Sequence, residues 1–170
     1  MSDPSSSVSG ALIDAEHAAF LTTAGVSISV GSRNADHLPN LTRAIGCSIA
    51  DDRARVSVFV IAEQSRELLD DIRANRHVAV VFTEPHSHRT IQLKGSDALI
   101  ESLAAGDRQI LARYRDAFTA ELGALGYSSL FVQTMIDSSA GEVVAVSFTP
   151  NAAFLQTPGP RAGMPLGDAR

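Results

Sequence analysis

The stretch that decides the fold lies between Arg43 and Gly95. Its segments, in order, are Arg43-Ala44-Ile45-Gly46-Cys47-Ser48, Val56-Ser57-Val58-Phe59-Val60, Gln64-Ser65-Arg66-Glu67-Leu68-Leu69, Asn75-Arg76-His77-Val78-Ala79-Val80-Val81-Phe82 and Arg89-Thr90-Ile91-Gln92-Leu93-Lys94-Gly95. The first two and the last two are rich in β-branched and apolar residues, which favour strands. The middle segment starts a helix, because Leu68, Leu69 and Ile72 share one helical face. The stretch therefore predicts strand, strand, helix, strand, hairpin, strand.

The rest of the chain extends this pattern in both directions. Val26 to Val30 alternates apolar and polar residues, and the turn residues of Asn34 to Pro39 follow it. Together with the turn at Asp51-Asp52, this predicts two successive hairpins and hence an antiparallel meander. Arg89 to Ile100 is predicted to be one long strand that bends at Gly95, and Val143 to Phe148 the last strand. We expect a mainly β fold with helices at its ends: a closed antiparallel barrel of six strands.

The segments outside the strands set the expected domain limits. A stripe of apolar residues from Leu103 to Leu125 predicts a long amphipathic helix, and Tyr127 to Ile136 a second, short helix or an irregular segment. Residues 1–10 are Ser-rich and expected to be disordered. Residues 11–150 form the expected single domain, and residues 151–170 a tail rich in proline and glycine.

Composition excludes several classes of function. The 170 residues carry a formal net charge of -5, whereas a non-specific nucleic-acid binder needs excess Lys and Arg. No apolar run reaches the roughly 18 residues of a membrane helix, and residues 1–10 lack the basic start and apolar run of a signal peptide. Cys47 is the only cysteine, so no intramolecular disulfide can form. We expect a soluble, cytoplasmic protein that binds neither nucleic acid nor membrane.

Ser65-Arg66, at the expected helix start, is the best candidate for a binding site. A helix N-terminus presents unpaired amide hydrogens, and a hydroxyl and a guanidinium beside it would complete a phosphate site. Ser65 could equally be only an N-cap and Arg66 a solvated surface residue. Glu67, one residue on, would weaken an anion site.

Arg43 is the second candidate, because it lies between Leu41 and Ile45 in an expected strand. A buried guanidinium needs a partner, which could be a phosphate or a carboxylate. Plain exposure on the polar face is the alternative.

Other reactive side chains do not form a recognisable site. His86 and His88 would point the same way on an extended chain, but no third ligand lies nearby, so a polar loop is the better interpretation and no metal site is predicted. Cys47 has no neighbour that would lower its pKa. No residue can be assigned as a catalytic acid, base or nucleophile.

The order of these segments resembles the pyridoxamine 5′-phosphate oxidase-like superfamily of FMN-binding split barrels, over most of the chain. The resemblance implies a six-stranded antiparallel split β-barrel with peripheral helices. It also implies flavin mononucleotide (FMN) as cofactor, and a homodimer with the flavin ring at the subunit interface.

The resemblance carries over residue by residue to two parts of a cofactor site. For the phosphate it implies Arg43, Ser65 and Arg66, with Ser48 where the family has a lysine. For the flavin ring it implies the following four residues: Val60, Ile61, Thr90 and Gln92.

This sequence departs from the family at three contacts. Ser48 and Glu67 replace two phosphate lysines, and Thr90 replaces a flavin-contacting glutamine, although Gln92 lies on the same face. The C-terminal segment also lacks the Arg-rich pattern of the true oxidase, so pyridoxamine phosphate oxidation is not expected.

The resemblance therefore implies a divergent FMN-dependent oxidoreductase acting on an unknown small-molecule substrate. The alternative is a non-catalytic module on the same barrel, a carrier or sensor that holds flavin, a deazaflavin or haem, or no cofactor at all.

Overall fold

The computed structural model of the chain describes residues 12–137 and 141–166. These residues form one antiparallel sheet with helices around it. The strands are β1 (Ser27–Arg33), β2 (Pro39–Ile49), β3 (Val56–Ile61), β4 (Val78–Thr83), β5 (Thr90–Gly95), β6 (Leu99–Ser102), β7 (Val143–Phe148) and β8 (Ala152–Leu155). The helices are α1 (Ala15–Leu21), α2 (Arg66–Asn75), α3 (Asp107–Ala124) and α4 (Ser129–Met135). No helix of the described chain is long and apolar enough to cross a membrane.

The strand count corrects the sequence-based prediction. The order across the sheet is β6-β7-β3-β2-β1-β4-β5-β8, which makes eight strands where six were predicted. Two local features account for the difference. The predicted strand Arg89 to Ile100 breaks after Gly95 into β5 and β6, and Ala152–Leu155 of the predicted tail pairs with β5 as an edge strand. The predicted hairpins and the antiparallel order are confirmed.

The sheet curls strongly, but among the described residues it does not close. β5 and β7 stand five positions apart in the strand order, and yet they touch through Gly95. A Cβ atom on Gly95 would lie 2.6 Å from Cδ2 of Phe148, so only glycine allows the two strands to meet there. β6 and β8 remain as edges, so the sheet is an open barrel and the expected closed one is wrong.

The inner face of the curled sheet holds the core. Its members are apolar side chains with 0 or 1% of their surface exposed: Ile28, Val30, Ala44, Val56, Val58, Val60, Val80, Phe82, Ile91, Leu93, Val146 and Phe148. The strictly alternating burial of β4 shows that its second face is only half-buried.

A β-bulge in β2 fixes where α3 packs. The pairing shifts by one residue between Ala44 and Cys47, so Ile45 and Gly46 both lie opposite Phe59. A Cβ on Gly46 would meet Phe59 Cδ2 at 2.9 Å and Leu111 Cδ2 at 3.5 Å. The helix α3 therefore lies over the outer face of β2 and β3. The outer face of β1, β4, β5 and β8 continues to one side of this helix.

Candidate functional site

The strand β2 is longer than its neighbour β3, and this difference opens a cleft. The ladder between them ends at Ala44 and Val60, while β2 continues to Pro39 paired with β1. A 3-10 turn (Glu63–Ser65) and the start of α2 lie beside the free edge. Residues 40–42 and 63–68 enclose a cavity of about 400 Å³, which we call the β2 cleft.

Two hydroxyl groups lie inside the β2 cleft. The Oγ of Ser65 is 2.9 Å from the Oγ1 of Thr42, and Ser65 is only 2% exposed. The Ser65 hydroxyl makes no capping bond to α2, because it is engaged with Thr42. Ser65 thus occupies the N-cap position at the expected helix start, but the alternative in which its side chain only caps the helix is wrong.

The rim of the β2 cleft carries charges of both signs. Arg66 is exposed and lines the cleft together with Glu63, Gln64 and Glu67. Because an anion would meet one guanidinium and two carboxylates at this rim, its affinity depends on which of them lies closest. The structure thus brings Ser65 and Arg66 together with Thr42, a residue that sequence reasoning missed.

Arg43 lies on the other side of β2, beneath α3. Successive side chains of a strand point to opposite faces, so Thr42 turns to the β2 cleft and Arg43 away from it. The Arg43 Nη1 donates to the Ser27 hydroxyl at 2.9 Å, and its guanidinium carbon lies 5.5 Å from the ring centre of Phe118. Arg43 has no ion pair among the described residues. The structure does not bring Arg43 together with Ser65.

Ser48 lies at the far end of β2, opposite Ser57. It lines a second cavity with residues of α3, and this cavity shares no lining residue with the β2 cleft. Ser48 is therefore separate from Ser65 and Arg66.

Val60 and Ile61 are buried at the end of β3. Their strand is paired with β7 along its whole length. They stand four strand positions from Thr90 and Gln92, since the order between them is β3-β2-β1-β4-β5. The two pairs therefore lie on strands that are not neighbours in the sheet.

A row of half-buried side chains crosses the outer face of the sheet. Direct cross-strand pairs join these five residues in order: Arg43, Ser29, Val81, Gln92 and Phe154. The row begins beneath α3 and ends at the edge strand β8. We use "outer row" for these five residues.

Gln92 and Thr90 occupy the β5 part of this face. The Gln92 Oε1 accepts from Gln156 Nε2 at 3.3 Å, and the Thr90 hydroxyl is 3.1 Å from that of Thr83. Lys94, the only lysine of the chain, places its Nζ 5.1 Å from the ring centre of Phe154. Strand alternation places Thr90, Gln92 and Lys94 on the same face of β5. Sequence reasoning missed Lys94, although this alternation would have indicated it.

Comparison with known proteins rests on structure. No protein-family profile matches this sequence, and no curated protein sequence matches it. HupZ from Group A Streptococcus matches with a TM-score of 0.51 and 16% identity, over 89% of this chain and 99% of that one. An F420 reductase matches with a TM-score of 0.51 and 14% identity, over 79% of this chain and 94% of that one. A Lactobacillus delbrueckii protein described as a candidate pyridoxamine 5′-phosphate oxidase matches with a TM-score of 0.50 and 12% identity, over 84% of this chain and 94% of that one.

This chain has the pyridoxamine 5′-phosphate oxidase-like fold. At identities of 12 to 16% the likeness concerns the fold alone. It confirms the resemblance that the order of the sequence segments carries, although the sheet has eight strands and is open rather than six-stranded and closed.

Within this oxidase-like fold, the β2 cleft has a donor set that fits a phosphate ester. Thr42 and Ser65 supply two hydroxyls, and the Arg66 guanidinium supplies charge at the rim. Phosphate oxygens prefer such charge-assisted donors. Glu63 and Glu67 oppose an anion, so the fit is that of a weakened phosphate site.

The histidine pair of the β4–β5 loop is not arranged as a ligand pair. His86 hydrogen-bonds through Nδ1 to the Glu121 carboxylate on α3, and this bond raises the pKa of His86. His88 has a positive φ of 59°, so the two side chains do not follow an extended strand. Among residues 12–137 and 141–166, no group of His, Cys, Asp and Glu is suited to hold a metal ion.

Proposed function

We propose that this protein binds FMN or a related flavin as a homodimer and acts as an oxidoreductase on a small molecule. The observation that carries the proposal is the β2 cleft, in which a buried hydroxyl, a half-buried hydroxyl and one guanidinium lie beside the free edge of a strand. The fold supports it, because the F420 reductase and the candidate pyridoxamine 5′-phosphate oxidase share that fold.

The phosphate arm of the cofactor would lie in the β2 cleft. Thr42 and Ser65 would hydrogen-bond to phosphate oxygens, and Arg66 would pair with the phosphate charge. Arg43 has partners of its own beneath α3, so we assign it to the support of β2 rather than to the phosphate.

The ring would lie on the outer face, between two copies of the chain. Val60 and Ile61 lie on β3 and Thr90 and Gln92 on β5, which are not neighbours in the sheet, so we assign the two pairs to different copies. The second copy would then supply the pair that the first copy does not. The half-buried Ala79 and Val81 on the outer face of β4 are the surface that we expect the partner to cover.

The chain's own residues would bind and orient the cofactor. A bound flavin supplies the hydride or electron transfer, whereas the protein supplies contacts and charge. The Gln92 amide can hydrogen-bond to the polar edge of a ring, and the Lys94 ammonium adds positive charge two residues away on the same face. Within the described chain we assign no side chain as a catalytic acid or base.

A flavin titration tests the proposal. FMN fluorescence should be quenched on binding to the wild-type protein, and Arg66→Ala should weaken binding by about tenfold, because a charge-assisted contact contributes roughly 1.5 to 3 kcal/mol. Arg73→Ala is the matched control, since Arg73 lies on the same helix, pairs with Asp70 at 2.6 Å and does not line the β2 cleft. A wild-type protein that binds neither FMN nor a deazaflavin would refute the proposal.

The alternative is a carrier or sensor that binds its cofactor without turnover. The two carboxylates at the rim of the β2 cleft favour it, because they weaken the hold on a phosphate. Reduction of the bound flavin by a nicotinamide, measured by loss of flavin absorbance, would separate an enzyme from a carrier. A haem-binding version would show a Soret band and would have to break the bond between His86 and Glu121.

A further inference from the structure

A second cavity, of about 490 Å³, lies at the end of the sheet opposite the β2 cleft. It is enclosed by the turn between α1 and β1, the end of β2 and the middle of α3. Cavities of about 300–1,000 Å³ are the usual size for small-molecule sites. We call it the α3 cavity, and none of its lining residues lines the β2 cleft.

The α3 cavity has an apolar wall and polar donors. Four aliphatic side chains form the wall: Leu21, Ile28, Ile49 and Ile110. Ser48, Arg113 and Tyr114 supply the donors. The chain has an excess of five negative charges, and yet none of the eleven lining residues is acidic.

Tyr114 is the residue that points to a ligand. It is only 3% exposed, and its hydroxyl is the one buried side-chain polar atom of the described chain without a hydrogen-bond partner. The polar groups that act on this hydroxyl are the Arg43 guanidinium, the Ile28 backbone amide and the Cys47 sulfur. The first two can only donate and the sulfur is only a weak acceptor, so the proton of the Tyr114 hydroxyl has no strong acceptor. A buried donor without an acceptor is rare and calls for a missing partner.

The other two donors differ from Tyr114 in burial, because Arg113 is exposed and Ser48 is half-buried. Arg113 makes no ion pair with the described residues, whereas its neighbour on α3, Arg115, lies 3.5 Å from Asp116. The Ser48 hydroxyl likewise makes no hydrogen bond to any of the described residues. One buried and two solvent-accessible donors, none with an acceptor among the described residues, therefore border one cavity with an aliphatic wall.

We infer that the α3 cavity binds a small carboxylic acid with an aliphatic body. The carboxylate would accept hydrogen bonds from the Tyr114 and Ser48 hydroxyls and pair with the Arg113 guanidinium. Its hydrocarbon part would pack against the isoleucine and leucine side chains. This inference does not depend on the binding of a flavin, because the two cavities share no residue.

The composition of the chain offers a direct readout. It contains two tyrosines and no tryptophan, and the second tyrosine, Tyr127, is 52% exposed and stacks on Phe131. Tyr127→Phe keeps that stacked ring and leaves Tyr114 as the only tyrosine. Tyrosine emission of this variant then reports on the α3 cavity alone.

The test compares hexanoate with hexanamide, its neutral counterpart, and with inorganic phosphate. Hexanoate should change the Tyr114 emission in a saturable way, hexanamide should bind at least about tenfold more weakly, and phosphate should have no effect at equal concentration. Arg113→Gln should lower the hexanoate affinity at least about fivefold and leave that of hexanamide unchanged. Arg115→Gln, two residues along the same helix, should change neither.

Calorimetry extends the test to the hydroxyl itself. Tyr114→Phe should weaken hexanoate binding at least about threefold while its circular dichroism stays that of the wild type. Arg66→Ala should leave hexanoate affinity unchanged, which separates this site from the β2 cleft. Equal affinity for hexanoate and hexanamide, absence of any binding, or an Arg113→Gln variant that binds like the wild type would each overturn the inference.

Discussion

The hydroxyl oxygens of Thr42 and Ser65 lie 2.9 Å apart, and this contact assigns different roles to two neighbouring residues of β2. Thr42 faces the β2 cleft, so the next side chain, Arg43, must leave the strand on the opposite face. The contact therefore separates the two arginines that the sequence had placed around one phosphate. Arg66 remains at the cleft, and Arg43 joins the packing beneath α3.

Arg43→Ala should therefore affect stability more than cofactor binding. The variant loses the bond to Ser27 and the contact with the Phe118 ring, which together should lower the free energy of unfolding by about 1–3 kcal/mol. FMN affinity should stay within about threefold of the wild type. Denaturant unfolding and a flavin titration measure the two effects. A tenfold loss of FMN affinity with unchanged stability would instead show that Arg43 contacts the phosphate.

Glu67 should limit the affinity of the β2 cleft for anions. Removing its charge with Glu67→Gln should tighten FMN binding, and Glu67→Lys should tighten it further and make it more sensitive to salt, because an exposed charge pair is screened. FMN titrations at low and high ionic strength measure both effects. The control is Asp70→Asn, which removes an acid of the same helix that does not line the cleft. If Glu67→Lys binds no more tightly than the wild type, the phosphate lies elsewhere.

Two glycine substitutions should have opposite effects on stability. Gly95→Ala would place a Cβ 2.6 Å from Phe148 Cδ2, and overpacking of this kind costs typically about 1–3 kcal/mol. Gly123→Ala would meet no atom within 4 Å in α3, so the better helix propensity of alanine should stabilise the protein by about 0.5–1 kcal/mol. Thermal melts of both variants test this. A neutral Gly95→Ala would mean that β5 and β7 do not meet there.

The bond between His86 and Glu121 should make stability depend on pH. The pKa of His86 is raised in the folded protein by its hydrogen bond to Glu121, so the bond stabilises fully below the unfolded pKa of about 6.5 and is lost as the pH rises through the folded pKa. Glu121→Gln should therefore lower the melting temperature more at about pH 5.5 than at about pH 9. A difference that grows with pH would contradict this sign.

The sequence predicted the longer elements but not the two short strands. The segment Val26 to Val30 alternates clearly and became β1, while the segments Arg43 to Ser48 and Val56 to Val60 became part of β2 and of β3. The strands β6 and β8 have only four residues each, which is too short for a pattern to develop. Their existence depends on pairing with β7 and β5, and such tertiary pairing leaves no local signal.

The candidate site could be predicted only in part for a related reason. Ser65 and Arg66 follow from the helix start, which local sequence reveals. The position of Ser48 cannot be predicted from local sequence, because the bulge after Ala44 inserts one residue into β2. Strict alternation would put Arg43 and Ser48 on opposite faces, and the bulge puts both on the outer face.

The final prediction concerns assembly through the outer row. Val81 lies at the centre of that row and is only half-buried in one copy of the chain. Val81→Glu would place a carboxylate where we expect the partner to pack, and burying an unpaired charge is costly. In sedimentation the wild type should be a dimer, and Val81→Glu should sediment as a species near the chain mass of 17.9 kDa.

The same variant tests whether the ring site needs both copies. Val81→Glu should weaken FMN binding by at least about tenfold, since the monomer lacks the second set of ring contacts. If Val81→Glu is a monomer that binds FMN as tightly as the wild type, one copy is sufficient for the ring site. Leu130→Glu is the matched control: it puts the same charge on α4, where Leu130 is 74% exposed, and should keep both the dimer and the affinity. If Leu130→Glu dissociates the dimer and Val81→Glu does not, the copies meet through α4, and the outer row is not their interface.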